Sequence, residues 1–520
     1  MNDRRLDILH FAVIIGGFAI LLANVFHGNV WYDETYSVAI AWHPFDEIWR
    51  IGAKDVHPVL YYFFLRFLYL AFGTNIVAYR LFTVVGALAF SLLGWTHVRR
   101  DTDQRTGIAF SLFAYFLPWC VRIDFQIRMY TWLAVVVMLA FIYAWRILRE
   151  LRDSKRSGCV PSIPWHWWVL LFACSAMSAY LHYYGAMAAF TIQVSVIAGL
   201  VWSRCPRKLI VIWLIGALAA VACYVPWLSA AASQAKMASG GSYWIHFTDV
   251  GTTGEILKFP FDSPEIEFMP NSIALISLTM AVCLVALFSY GKALGSSGAE
   301  GEGAETKGLV LRNPASYGLA IFVGTGLVVM AASVAIQGAV LYYRYLTVCL
   351  GPLALAMAYV LTKTASRKVG YLAIALCLAC GAMAYYELYE QSHSPKNDAV
   401  FEMYADMHDR AKQMNGGEEP LVIGTSVYTD GILATGGAEG DITYIPEYDI
   451  GAYEAYEPKF IRGKSFNEVL TGHKGAVLLL ANEEIAQKLA QEYGGEVVAH
   501  DYAYHEYSSR WFDFCIIDFK

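Results

Sequence analysis

The side chains able to do chemistry sit in a few short clusters of an otherwise apolar chain. Trp31-Tyr32-Asp33-Glu34 comes first, then Lys54-Asp55-Val56-His57-Pro58 with Tyr61 and Tyr62, then Arg80. Arg122, Asp124, Gln126, Arg128 and Tyr130 follow, then His182-Tyr183-Tyr184, and finally Tyr342-Tyr343-Arg344-Tyr345. Guanidinium groups fork onto phosphate oxygens, and a nearby carboxylate can accept a proton from a hydroxyl nucleophile. An aromatic and arginine rim between apolar helices suits a ligand with an anionic head and a lipid tail. The set therefore points to group transfer from a phospholipid-like donor. Each piece also has a plainer reading: Asp33-Glu34 as a helix cap, Arg122 and Arg128 as snorkelling anchors, His182 with its tyrosines as an interfacial belt, His57-Pro58 as a turn. What favours chemistry is their placement together on one side of a membrane.

That placement depends on the elements between them. The 520-residue chain is 57% hydrophobic and only 16% charged, against about 25% charged in ordinary soluble proteins. Apolar runs of about 18 residues, the length that crosses ~30 Å of hydrocarbon, recur along it. Spans are predicted near 9–26, 81–98, 107–121, 129–147, 167–184, 185–202, 209–228, 271–290, 315–337, 345–362 and 369–389, about eleven in all. Residues 59–72 are apolar but too few to cross, and they carry Arg66, so they read as a juxtamembrane or re-entrant helix. A net charge of −6 without a basic arm excludes a nucleic-acid partner. Most of the 10 cysteines, Cys174, Cys223, Cys283, Cys377 and Cys380 among them, lie in apolar runs without metal-ligand spacing and read as small hydrophobes.

Charge orients the spans. If 59–72 does not cross, short loops on one side hold 19 of the 38 Lys and Arg, among them Arg99, Arg100, Arg146, Arg149, Arg204 and Arg367. The positive-inside rule makes that side cytoplasmic. The N-terminus is then inside, the chemical clusters are outside, and the protein is a multi-pass component of the plasma membrane and cell envelope. The Gly/Ser/Glu-rich stretch 291–309 reads as a flexible cytoplasmic loop.

From about Gln391 the composition changes. The last 130 residues hold 22 of the 44 Asp and Glu but only 10 of the 38 Lys and Arg. Strand-like runs at Leu421–Val427, Ala476–Leu480, Glu496–His500 and Phe512–Phe519 alternate with helical patterns at Asp398–Met414 and Asn482–Tyr493. The expected architecture is mainly α: a polytopic transmembrane bundle over 1–390, including an outer loop 27–80, and an extracytoplasmic α/β domain over 391–520.

In order and spacing the clusters resemble GT-C glycosyltransferases of the protein O-mannosyltransferase and lipid A aminoarabinose transferase type, glycosyltransferase family 39-like. The shared pieces are Asp33-Glu34-Thr35-Tyr36, Asp55-Val56-His57-Pro58-Val59-Leu60-Tyr61-Tyr62, Phe72-Gly73 with Arg80, Arg128-Met129-Tyr130, His182-Tyr183 and Arg344-Tyr345. Val59 replaces the second proline of that pattern, and Gln126 stands where an acid often precedes the Arg-x-Tyr. The resemblance implies a GT-C fold and transfer of a sugar, with inversion, from a polyprenyl-phosphate donor to an extracytoplasmic glycan, lipid or protein acceptor. It implies Asp33, Glu34 and Asp55 as catalytic carboxylates, with Asp33 the base. Donor phosphate and lipid would be held by His57, Arg80, Arg122, Arg128, Tyr130, Arg344 and Tyr345, and sugar or acceptor by Tyr61, His182 and Tyr183. A divalent cation, Mg²⁺ or Mn²⁺, would suit Asp33 and Glu34, but a loose carboxylate cluster does not demand one. Two other classes compete with this reading. A lipid-linked sugar transporter or flippase would want charges at mid-bilayer and internal repeats, which are not found; a non-catalytic envelope scaffold leaves the outer Arg/Tyr/Asp set unexplained.

Overall fold

A computed structural model describes residues 3–239, 245, 254–256, 258–261, 270–297, 313–445, 451–463 and 465–520. The expected loop 291–309 falls largely outside these residues. The chain divides into two compact units. One comprises Met1–Val25, Val56–Tyr61 and Arg80–Tyr385; the other comprises Phe26–Asp55, Tyr62–Tyr79 and Tyr386–Lys520.

The first unit is a helical bundle, and the chain is a multi-pass membrane protein. Among the described residues nine helices are long and apolar enough to cross a membrane, including Arg4–Ala23, Ile76–Asp101, Tyr130–Ser157 and Tyr183–Ser203. Two of the eleven predicted spans are shorter helices. Residues 107–121 do not form one element: helix Gln104–Phe116 ends before Pro118, and Leu117 is extended at ψ 130°. Proline has no N–H to continue the ladder and disfavours helical geometry in the residue before it. Trp165–Leu181 has 17 residues, about 26 Å at 1.5 Å per residue. The segment expected to lie along the membrane forms helix Leu60–Phe72, whose 13 residues reach only about 20 Å.

The second unit is built on a six-stranded sheet in the order β3-β2-β1-β4-β6-β5. Its strands are β1 Leu421–Gly424, β2 Ile442–Tyr444, β3 Phe460–Arg462, β4 Gly475–Leu480, β5 Gly495–His505 and β6 Arg510–Phe519. β1 to β4 are parallel, and β6 runs antiparallel to both β4 and β5. One face of β1, β4 and β6 buries Ile423, Val477, Leu479 and Ile517 against Ala486 and Leu489 of helix Glu483–Tyr493.

Residues 26–55 and 62–79, read from composition as part of the 1–390 unit, pack instead with the C-terminal residues. The contacts explain this. The Thr35 and Tyr456 hydroxyls are 2.7 Å apart, Arg50 and Lys54 both reach Glu454 at 2.6 Å, and Asn29 donates to the Ser392 carbonyl at 2.9 Å. The polar side chains of residues 26–55 find these partners on the C-terminal residues.

Candidate active site

The bundle gathers most of the predicted cationic and aromatic side chains. The backbone between Ile123 and Tyr130 is non-helical yet buried, so its polar groups need partners. Thr83 donates to the Gln126 carbonyl at 3.0 Å, and Thr131 to the Ile123 carbonyl at 2.8 Å. The buried Tyr61 places its hydroxyl 3.4 Å from that of Thr83, the residue that holds this loop. Arg80 is fully buried one turn before Thr83, and Arg122 is buried in the short helix Pro118–Ile123.

Arg128 ends the loop with a guanidinium nitrogen 3.4 Å from His57 Nε2. Tyr130 opens the 28-residue helix Tyr130–Ser157, whose positive end is turned toward this region. Arg344 stacks over the Tyr130 ring at 5.4 Å, and its carbonyl accepts from Thr347, which in turn accepts the Trp119 indole N–H at 2.6 Å. The His57 and His182 rings are 5.3 Å apart, and Tyr345 is 4.9 Å from His182.

His182 caps helix Tyr183–Ser203, its Nδ1 accepting the Tyr184 backbone N–H at 3.1 Å. In the neutral imidazole the proton then sits on Nε2. That atom is buried without a hydrogen-bond partner, on a residue lining the main cavity of the bundle. The tight hairpin at His182 depends on Gly185, where a Cβ would strike the Ser178 carbonyl oxygen of the preceding helix. Tyr183 donates to Gln234, and its hydroxyl accepts the Trp227 indole N–H at 3.0 Å.

A cavity of about 400 Å³ opens from this cluster. His57, His182 and Tyr345 form its polar end, and Met187, Phe190, Val328, Ala332 and Ile336 form apolar walls. Arg128 and Arg344 act electrostatically on His182 from close by. A cationic head region above an apolar slot can take a phosphate with its hydrocarbon tail. Asp124 is fully buried with neither carboxylate oxygen bonded, and burial pushes its carboxyl well above the usual carboxylate range.

Gln234 escaped the sequence-based site, and Tyr184, named with its cluster, was given no role there. Gln234 had a readable signal, being a lone amide in the small-residue run Leu228–Ala238. Tyr184 had none beyond its neighbours, since only the hairpin turns its ring to within 5.2 Å of Tyr345.

The predicted carboxylates belong to the second unit. Asp33 and Glu34 occupy the first turn of helix Tyr32–Ile40, where negative charge suits the helix dipole. Glu34 is fully buried and accepts the Trp31 backbone N–H at 3.1 Å and the Tyr507 hydroxyl at 3.4 Å. It thus anchors the loop to the C-terminal domain. Asp33 is half-buried, and Asp55 closes the turn after helix Phe45–Gly52 with its N–H on the Gly52 carbonyl. Among the described residues no three His, Cys, Asp or Glu side chains are grouped to hold a metal ion. Both hydrogen bonds of Glu34 fall on Oε2.

This helical bundle with its appended α/β domain has the GT-C fold, the fold of a class of polytopic membrane glycosyltransferases. It is similar to ArnT from Cupriavidus metallidurans bound to undecaprenyl phosphate, with a TM-score of 0.53 and 13% identity over 97% of each chain. The apo state of that protein gives 0.48, with 12% identity over 99% of this chain and 98% of that one. The archaeal oligosaccharyltransferase AglB from Archaeoglobus fulgidus, in complex with an inhibitory peptide and a dolichol-phosphate, gives 0.41 at 12% identity, covering 82% and 63%. No protein-family profile and no curated protein matches the chain.

Proposed function

We propose that the protein is an inverting membrane glycosyltransferase that moves a sugar from a polyprenyl-phosphate carrier to a hydroxyl of an extracytoplasmic glycan, lipid or protein. The observation that carries this reading is the bundle cavity, whose His57, His182 and Tyr345 end, with Arg128 on His57 and Arg344 acting on His182, and whose apolar walls match the two halves of such a donor. The shared fold with an undecaprenyl phosphate-bound ArnT supports it. The enzyme would sit in the plasma membrane with its N-terminus cytoplasmic and its C-terminal domain outside, the orientation favoured by the basic loops.

In this reading Asp33 takes the proton of the acceptor hydroxyl as that oxygen attacks the anomeric carbon. The bond from that carbon to the phosphate oxygen breaks, and its electron pair leaves with polyprenyl phosphate. Phosphate needs little protonation to leave, so stabilising its growing charge is the main electrostatic task. Arg128, Arg344 and the His182 Nε2–H supply that stabilisation, with His57 holding Arg128. Glu34 and Asp55 act by positioning, Glu34 through its hold on Trp31 and Tyr507. A divalent ion would be held by Asp33 and Glu34 and would supply charge for orienting the acceptor.

Two measurements test the proposal. Native mass spectrometry of the purified protein should detect bound undecaprenyl phosphate, weakened at least tenfold by Arg344→Ala. Mass spectrometry of surface glycans and lipids should show one sugar modification lost on gene deletion and not restored by Asp33→Asn. Restoration by a well-folded Asp33→Asn protein defeats the catalytic assignment; failure of the wild type to bind the lipid defeats the donor class.

A further inference from the structure

The C-terminal domain contains a second cavity, of about 410 Å³, at the carboxyl ends of β1 and β4. These neighbouring strands leave the sheet in opposite directions: β1 leads through helix Val427–Gly436 to β2, and β4 leads through helix Glu483–Tyr493 toward β5. Open α/β sheets bind ligands in the crevice that such a switch in strand order creates. The volume is within the range of about 300–1,000 Å³ typical of small-molecule sites.

The lining indicates the ligand. Trp511 and Tyr428 put aromatic surface at the cavity, and Trp511 is 59% exposed. Arg510 lies over the Tyr428 ring at 5.0 Å, and Tyr502 and Tyr504 extend the aromatic platform beside Trp511 at 5.6 and 5.1 Å. Asp513, Asn482 and the Ser426 hydroxyl add hydrogen-bonding groups between these rings. Ser509, also at the cavity, has φ +52°, a strained conformation for a residue with a side chain.

An anion fits poorly. The Ser426 N–H is taken by Asp430 and the Ile485 N–H by Asn482, and Glu483 and Glu484 fill the first turn of the second helix. The backbone donors that would cradle a phosphate are thus partly occupied and faced by carboxylates. Exposed aromatic faces interleaved with amide, carboxylate and hydroxyl groups match sugar rings, which alternate C–H faces with hydroxyls.

We propose that this cavity is the glycan-binding subsite of the acceptor, taking one or two neutral sugar rings. The inference rests on the glycosyltransferase reading and adds the acceptor's class and where it is held. The cavity wall and the helix bearing Asp33 form one packed body. The Tyr428 ring meets that of Tyr32 edge-on at 4.5 Å, and Gly431 of the wall helix lies against the Thr35 hydroxyl. A glycan held here is carried by the same rigid element as the proposed base.

The test uses full-length protein in nanodiscs on an array of immobilised neutral hexose and N-acetylhexosamine oligosaccharides. Wild type should bind a subset of these, Trp511→Ala should weaken that binding at least tenfold, and Asp513→Asn should weaken it measurably. Trp511 is largely exposed, so its truncation should leave the melting temperature and undecaprenyl phosphate binding unchanged. Asp33→Asn should bind glycans as wild type does. Array binding that survives in Trp511→Ala, or no wild-type binding while undecaprenyl phosphate still binds, would each overturn the subsite and leave the enzyme reading standing. Glycan binding without lipid binding would overturn the enzyme reading instead.

Discussion

Replacing Asp430 by asparagine tests whether the loop framing the C-terminal cavity is held by a buried acid. Asp430 is fully buried; its carboxylate accepts the Ser426 N–H at 2.9 Å and the Thr429 hydroxyl at 3.0 Å. Burial outweighs these bonds and raises its pKa from 3.8 to about 7. The folded domain therefore keeps a proton that the unfolded chain loses above pH 4. The stabilisation is present in full below about pH 4 and is lost as pH rises to 7. Three pKa units correspond to about 4 kcal/mol. Roughly half of this, about 2 kcal/mol or thirtyfold, falls between pH 5.5 and 8. Hydrogen exchange of the Val422–Gly424 amides, corrected for intrinsic rates, should show wild-type protection falling by up to that factor over this interval. Asp430→Asn keeps an acceptor for Ser426 and a donor for Thr429 without titrating, so its protection should stay level. A variant with the wild-type slope would refute the assignment.

Other substitutions probe the bundle and the outer loop. Glu34→Ala removes the buried carboxylate that accepts the Trp31 N–H and the Tyr507 hydroxyl and should cost about 1–3 kcal/mol. Limited proteolysis should then cut residues 26–55 faster. Ala332→Trp fills the apolar slot and should abolish undecaprenyl phosphate binding by native mass spectrometry while helical content by circular dichroism stays constant. His182→Phe removes the buried Nε2 donor and should lower turnover about 10²-fold at unchanged lipid affinity, the size expected for one transition-state donor. An equal loss of lipid affinity would mean that the histidine serves ground-state binding instead.

Part of this protein could be read from residue order. Runs of apolar residues fix where helices lie because the bilayer demands length and internal hydrogen bonding, and both are local properties. The long strands β4, β5 and β6 and the helix Glu483–Tyr493 are legible because alternation and helical periodicity are likewise local. The three-residue strands β2 and β3 were not, since so short a run has no period to detect. The helix after β1 was also missed, its start at Val427 having been taken as the end of a strand.

Residue types alone also picked out His57, Arg128, Tyr130, His182, Arg344 and Tyr345, because charge and imidazole are costly in an apolar chain. Only the tertiary structure decided how each is used. It turned the His182 Nε2–H to an unpartnered position, brought the Tyr61 hydroxyl to Thr83, and raised the Asp124 carboxyl by burial. It also assigned the first outer loop to the C-terminal domain through bonds such as Thr35 to Tyr456, 421 residues apart. Sequence records which groups are present and how far each helix can reach. Which groups meet across hundreds of residues, and whose titration burial shifts, follows from packing.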